Sequence, residues 1–226
     1  MRALKIFAAL GLLCAFSLSN AQINRSLPTV YPPSLQQMAE LCKGTEDLRE
    51  CGRKVEEVQR KGLGEIVARN GTLLSIKLNE SGAVHFLDVG GAEGGEAFSL
   101  FAYHAIADAV TLYHSKQDKL GFMVVLRNGG AGSAVPNEPI FSSTGNEFLT
   151  VDVCKKDCEQ RVTLWRIRGD TVRRHAEYIV ASQVADAAAA FTPRGSVWIE
   201  LTNVDDKKQR IELDGNDARW VLTATQ

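Results

Sequence analysis

Neither sign of charge dominates this chain: 26 Lys and Arg stand against 27 Asp and Glu over 226 residues. That balance leaves no basic footprint for nucleic acid and no polycationic face for an anionic membrane. Long apolar runs are also missing beyond the first two dozen residues, so no later segment is suited to span a bilayer. Catalytic signatures are absent too. There is no Gly-x-Ser-x-Gly elbow, no His-Glu-x-x-His, and no Walker or dinucleotide fingerprint. Aromatic residues make up only 7% of the chain, proline is limited to six and histidine to four.

What is present begins at the N-terminus. Arg2 and Lys5 precede an almost wholly apolar run from Ile6 to Leu18, and Ser19-Asn20-Ala21 supplies small residues. This is the charged, apolar, small-residue order of a secretory signal, with a run too short to cross a membrane. Residues 1–21 are expected to be removed and the mature chain to begin at Gln22, in the periplasm or outside the cell. Because Arg2 and Lys5 leave with the signal, the mature chain becomes slightly more acidic than the whole chain's net of −1. Roughly 200 residues remain, enough for one sizeable core or a small domain with an appendage.

Of the five cysteines, Cys14 leaves with the signal. A lipid-anchor role for it is disfavoured by the bulky Leu13 in front. Cys42, Cys51, Cys154 and Cys158 remain, and four cysteines allow three pairings. An even count in an exported chain reads as disulfides ahead of zinc, whose four-cysteine sites use two-residue gaps. Closeness in sequence favours Cys42–Cys51 and Cys154–Cys158. Cys154-Lys155-Lys156-Asp157-Cys158 lacks the Cys-x-x-Cys spacing of thiol oxidoreductases, so it reads as a structural clip.

Residues 22–33 contain Pro28, Pro32 and Pro33 and read as an extended leader. Ser34 is placed to cap a helix through Leu35, Met38, Leu41 and Cys42, which Gly44 stops. Thr45 is placed to cap a second, with Glu46 and Asp47 in a first turn that favours anions. Leu48, Cys51, Val55 and Val58 recur at helical spacing, and Glu50 and Glu57 pair in register with Lys54 and Lys61. A helical hairpin over residues 34–62, stapled by Cys42–Cys51, follows.

From about Leu63 the period changes to that of strands. Short β-branched and aromatic runs are separated by Gly, Asn and Asp clusters. They fall near 72–78, 83–88, 98–103, 110–113, 122–126, 147–153, 162–167, 172–180, 197–201, 211–213 and 220–223. Ala185 to Ala190 carries no decisive pattern. An internal repeat sharpens the picture: Ile140 to Leu149 aligns without gaps, at an offset of 50, with Ala190 to Ile199. Each copy has an aromatic, small turn residues, a glycine (Gly145 or Gly195) and then a strand. A strand, a tight turn with a left-handed glycine and a second strand produce this spacing. Gly145 and Gly195 are then the repeat turns, and Phe148 and Trp198 fall at equivalent core positions. Four-strand periods of about 40 to 50 residues mark β-propeller blades.

At these residues the chain resembles the blade motif of WD40-like and TolB-like β-propellers. There an aromatic-Ser-Pro-Asp-Gly turn precedes one strand, and a Trp-Arg strand like Val162-Thr163-Leu164-Trp165-Arg166-Ile167 follows. Ser143-Thr144-Gly145 and Pro193-Arg194-Gly195 stand where that motif has Pro-Asp-Gly. The whole mature chain also resembles a family of uncharacterised secreted or periplasmic proteins of Gram-negative bacteria. The resemblance implies a mainly β domain over residues 63–226. Roughly 160 residues make three or four blades, so the expected form is a partial β-propeller or a twisted antiparallel β-sandwich.

The search for chemistry returns binding features. His85 alternates with Val84 and Phe86 and reads as a strand-surface residue. His104 and His114 flank Asp108 on different strands, with nothing to fix a relay, and His175 stands apart. Asp88, Glu93 and Glu96 surround glycines, a poor frame for the paired carboxylates of glycoside hydrolysis. Asp205, Asp206, Asp214, Asn216 and Asp217 lack calcium-loop spacing and read as a hairpin turn. Two glycine-rich stretches remain as candidate binding loops: Gly90, Gly91, Gly94 and Gly95, and Asn128, Gly129, Gly130 and Gly132. No catalytic, metal or cofactor set is expected, and the chain is read as not an enzyme. The expected function is that of an exported periplasmic interaction protein, in its sharpest form an inhibitor or immunity protein against a cell-wall hydrolase. The alternative is an envelope assembly or scaffold module, and an unrecognised hydrolase stands third. The expected partner is another periplasmic or extracellular protein, with no nucleic acid.

Overall fold

In the computed structural model, residues 27–90, 95–117, 119–153, 160–180, 184–214 and the backbone of 223–224 are described. The expected signal (residues 1–21), Cys154 and Cys158 lie outside these residues. The chain is mainly β, with four antiparallel sheets behind a small helical region. Helices α1 (Leu35–Leu41) and α2 (Leu48–Gln59) come first, α2 running into a single 3₁₀ turn, Arg60–Gly62. The first sheet holds β1 (Val67–Asn70), β2 (Leu73–Lys77) and β3 (Ala83–Leu87). The second holds β4 (Glu96–His104), β5 (Ala109–Lys116), β6 (Lys119–Leu126) and β7 (Gly132–Val135). The third holds β8 (Ile140–Phe141), β9 (Glu147–Asp152), β10 (Arg161–Arg168) and β11 (Thr171–Ile179). The fourth holds β12 (Val184–Phe191), β13 (Val197–Asn203), β14 (Lys208–Leu213) and β15 (Thr223–Ala224).

Each sheet is a meander of consecutive strands. Strand alternation sends side chains to both faces, so one strand feeds two cores. Val110 and Leu112 of β5 pack with Leu74 and Ile76 of the first sheet. Tyr113 of the same strand packs instead with Phe148 of the third. Phe148 and its neighbour Leu149 again part company, Leu149 joining Ile199 and Ile211 of the fourth sheet. The sheets therefore stack in chain order with three successive cores between them, as blades do, and among the described residues none closes into a barrel.

The repeated turns both carry left-handed glycines, with φ of 72° at Gly145 and 85° at Gly195. Matching turn bonds follow, Gly145 N–H to Ser142 and Gly195 N–H to Thr192. The expected equivalence of Phe148 and Trp198 is off by one, however. Phe141 pairs with Phe148, whereas Phe191 pairs with Val197. The first turn holds one residue more, so Val197 takes the place of Phe148. Both are fully buried. Trp198 points to the outer face of the last sheet, under the Arg210 guanidinium at 4.8 Å.

Two features depart from sequence expectation. Ala185 to Ala190 lie within β12, because pairing with Val197–Asn203 outweighs alanine's weak strand preference. The cap of α2 is Asp47, not Thr45: Asp47 accepts the Arg49 N–H at 2.8 Å, while the Thr45 hydroxyl meets the Lys54 ammonium. Ser34 does cap α1, in a reciprocal box with Gln37. The disulfide Cys42–Cys51 joins the two helices as expected, its Cα atoms 4.9 Å apart.

Candidate functional site

The outer edge of β4 organises the helical region. An open edge strand leaves a row of unpaired N–H and C=O groups. Here side chains and the leader take them up. Phe98 N–H donates to Asp88 at 3.0 Å, and Leu100 N–H to Glu56 at 3.1 Å. The Phe98 carbonyl accepts from Arg69 and the Phe101 carbonyl from Gln59 at 2.7 Å. Val30 and Tyr103 exchange two backbone bonds of 2.9 Å, and Ala105 N–H reaches Thr29. Helix α2 comes this close because position 52 is glycine: a Cβ there would lie 3.0 Å from the Ser99 hydroxyl.

The carboxylates and guanidiniums doing this form a buried network. Arg69 and Glu56 make two bonds of 2.8 and 2.6 Å, and Arg53 and Arg69 both reach Asp88. Glu56 is 3% exposed, which only a paired and fully bonded carboxylate tolerates cheaply. Nothing in the charged run around it singles Glu56 out, since the residues flanking it suit a solvated helix face.

Pinned by Val30, residues 27–33 form a strap across the β4 edge, and a groove opens on either side. The first, about 340 Å³, lies between the strap, the β4–β5 turn and the β8–β9 turn. His104, Ile106, Glu138 and Phe141 stand in its wall. The second, about 390 Å³, lies between the strap and the helices, with Gln37, Leu41, Val58 and Gln59 in its wall. Tyr31 and Pro32 border both. Tyr31 is 77% exposed, and Ile106, Leu35 and Val58 are also open to solvent. The turn beneath the first groove is tight: a Cβ on Gly145 would sit 2.7 Å from the Ala107 nitrogen.

His104 stacks on Phe141 with ring centres 3.8 Å apart, and its Nε2 lies 3.2 Å from the Thr111 hydroxyl. Burial lowers its pKa to about 4 and raises that of Glu138. Behind the strap, Asp108 gathers Tyr103 at 2.8 Å, Arg127 at 2.7 Å and Asn79. Burial, then the Asp108 carboxylate, push the Tyr103 hydroxyl up to about 12.

The other sequence candidates are dispersed. His85 bonds Ser75 on the outer face of the first sheet. His114 meets Glu96 at 2.7 Å and stacks on Phe98, at the opposite end of the second sheet from His104. His175 Nε2 is buried without a hydrogen-bond partner. No group of three potential metal ligands occurs among the described residues. Of the first glycine loop, Gly90 faces open space, Gly95 accepts from Gln117, and Gly91 and Gly94 lie outside the described residues. The second loop is a packed joint. Asn128 bonds Asn79, and a Cβ on Gly129 or Gly130 would strike Asp170 or Leu78. Gly132 opens β7 against Met123. Asp205 and Asp206 form the β13–β14 turn around the Asn203 carbonyl oxygen of the side chain, and Asn216 and Asp217 lie outside the described residues.

No family model, curated protein or solved structure matches the chain. The site therefore rests on its own geometry. That geometry was not foreseen from sequence, because the strap, the β4–β5 turn and α2 meet only through the stacking of sheets.

Proposed function

We propose that this chain is an exported interaction protein that binds another envelope protein through the strap face. The carrying observation is that Tyr31, Ile106 and Val58, all large, apolar and solvent-exposed, border two adjoining grooves on one face. Contiguous exposed apolar surface on a rigid scaffold is the usual mark of a protein-binding site. The Cys42–Cys51 bond fits an oxidising compartment, in keeping with the N-terminal signal order. The titratable groups of the first groove favour binding over turnover. A histidine held neutral down to about pH 4 is a weak base, and its ring is engaged by Thr111 and Phe141.

The sharpest form of this reading is a periplasmic inhibitor of a cell-wall hydrolase, with Tyr31 and the strap as the inserted wedge. The purified mature chain, added in equal amount to each of a panel of exported peptidoglycan hydrolases, is expected to inhibit one of them stoichiometrically. Turnover of a chromogenic glycoside or peptide by the chain itself, or no effect on any hydrolase, contradicts the inhibitor form.

A further inference from the structure

We infer that Asn70 is a site of spontaneous covalent modification, at which the folded chain converts its side-chain amide into a carboxylate. The inference is independent of the interaction reading above. It rests on which asparagine–glycine bond the fold leaves free.

In this chemistry the backbone nitrogen after an asparagine attacks the side-chain carbonyl carbon. A bond forms between that nitrogen and Cγ, the Cγ–Nδ2 bond breaks, and the amide proton leaves with the NH2 as ammonia. Water then opens the cyclic imide at either carbonyl, giving aspartate or isoaspartate. No oxidant or cofactor enters. The step needs a free backbone N–H, an unheld side-chain amide, and no Cβ on the following residue to obstruct the approach. Asn-Gly occurs at Asn70-Gly71 and Asn128-Gly129. The other asparagines of the described residues, Asn79, Asn137, Asn146 and Asn203, each precede glutamate or valine.

Sequence treats the two Asn-Gly pairs alike, and the fold separates them. Asn70 pairs with Leu73 to close the β1–β2 hairpin, and Gly71 takes a left-handed φ of 57° at its tip. Both Asn70 and Gly71 are exposed, and nothing lies within 4 Å of a Cβ built on Gly71. Among the described residues no acceptor meets the Gly71 N–H and no partner holds the Asn70 side chain. Asn128-Gly129 is exposed too, but it is tied. The Gly129 N–H donates to the Leu126 carbonyl at 3.2 Å, and the Asn128 side chain accepts from Asn79. Gly129 is also packed against Asp170. The product at position 70 meets a receptive neighbourhood. Arg53 reaches the Gly71 carbonyl and Arg69 the Thr72 carbonyl, both at 3.4 Å, so the new carboxylate arises beside two guanidiniums.

The purified chain is incubated in mildly alkaline buffer, folded in one series and unfolded in urea in the other. Peptide mapping by mass spectrometry follows amide loss at each asparagine, and an isoaspartyl methyltransferase reports isoaspartate in the intact chain. In urea Asn70 and Asn128 are expected to convert at similar rates. In the folded chain Asn70 is expected to convert at least about tenfold faster than Asn128, whose reaction must first break two hydrogen bonds. Asn70→Ser is expected to remove most of the isoaspartate signal of the folded chain, and Asn128→Ser to leave it. Equal or reversed rates in the folded chain overturn the inference. So does the absence of conversion at Asn70 in the folded chain, or an isoaspartate signal that survives Asn70→Ser.

Discussion

Gly145 and Gly195 share a left-handed backbone but differ in their neighbours. Nothing lies within 4 Å of a Cβ built on Gly195, whereas one on Gly145 meets Ala107 and Ile106 backbone. Gly195→Ala is therefore expected to cost about 1 kcal/mol, the left-handed penalty alone. Gly145→Ala adds a clash that only backbone movement relieves, and is expected to cost at least about 2 kcal/mol. Urea unfolding of the two variants measures the difference. Glu56 offers a second residue-scale test. Glu56→Gln removes the nearer of the two carboxylates paired with Arg69 and leaves it only the longer Asp88 contact, with an expected loss of about 2–3 kcal/mol. By contrast, Asp47→Ala loses the exposed cap of α2 and its contact with the Arg49 side chain, about 1 kcal/mol. His104 supplies a pH test. The folded chain keeps it neutral down to about pH 4, while the unfolded chain takes up a proton near its ordinary 6.5. The unfolded state thus binds more protons between those values, so stability is full above pH 6.5 and falls as pH drops toward 4. Relative to His104→Gln, the wild type is expected to lose on the order of 2 kcal/mol across that window. The oppositely shifted Glu138 is common to both proteins and cancels. A pH-independent difference in thermal midpoint contradicts this account of His104.

Elements with a strong period were legible in the sequence, and those shaped by distant partners were not. Helix α2 announces itself through Leu48, Cys51 and Val55, and Gly145 and Gly195 announce their turns through left-handed glycine. Strand β12 did not, because Ala185 to Ala190 suit a helix as readily, and only cross-strand bonds to β13 decide. Nor did the one-residue difference between the repeat turns, since a gapless alignment hides an inserted residue. That difference matters energetically. Phe148 is completely buried between the second and third sheets, so Phe148→Ala is expected to cost about 3–5 kcal/mol. Trp198, on the outer face with Arg210 above it, is expected to cost only about 1 kcal/mol when replaced by alanine. Equal losses in denaturant titrations would mean that the two rings are equivalent after all.

At the scale of the whole molecule, the sequence conveys a mainly β domain behind a stapled helical hairpin, and conveys little of the proposed strap face. The glycine loops drew attention by composition, yet Gly129 and Gly130 are packed against Asp170 and Leu78. The strap drew none, because Tyr31 and Pro32 gain meaning only when Val30 pairs with Tyr103, far along the chain. The two end faces of the stack are ordinary by comparison: Leu87 sits on the first sheet's outer face, and Lys208 bridges to Glu200 on the last. The claim that the strap face is the interaction surface is tested most directly by photo-crosslinking in the envelope. A benzophenone side chain is placed in turn at Tyr31, Val58 and Ile106, and at Leu87 and Trp198 on the end faces. The expected result is one shared envelope protein crosslinked from the first three positions and not from the last two. Crosslinks confined to Leu87 or Trp198, or none from Tyr31, Val58 and Ile106, would contradict it.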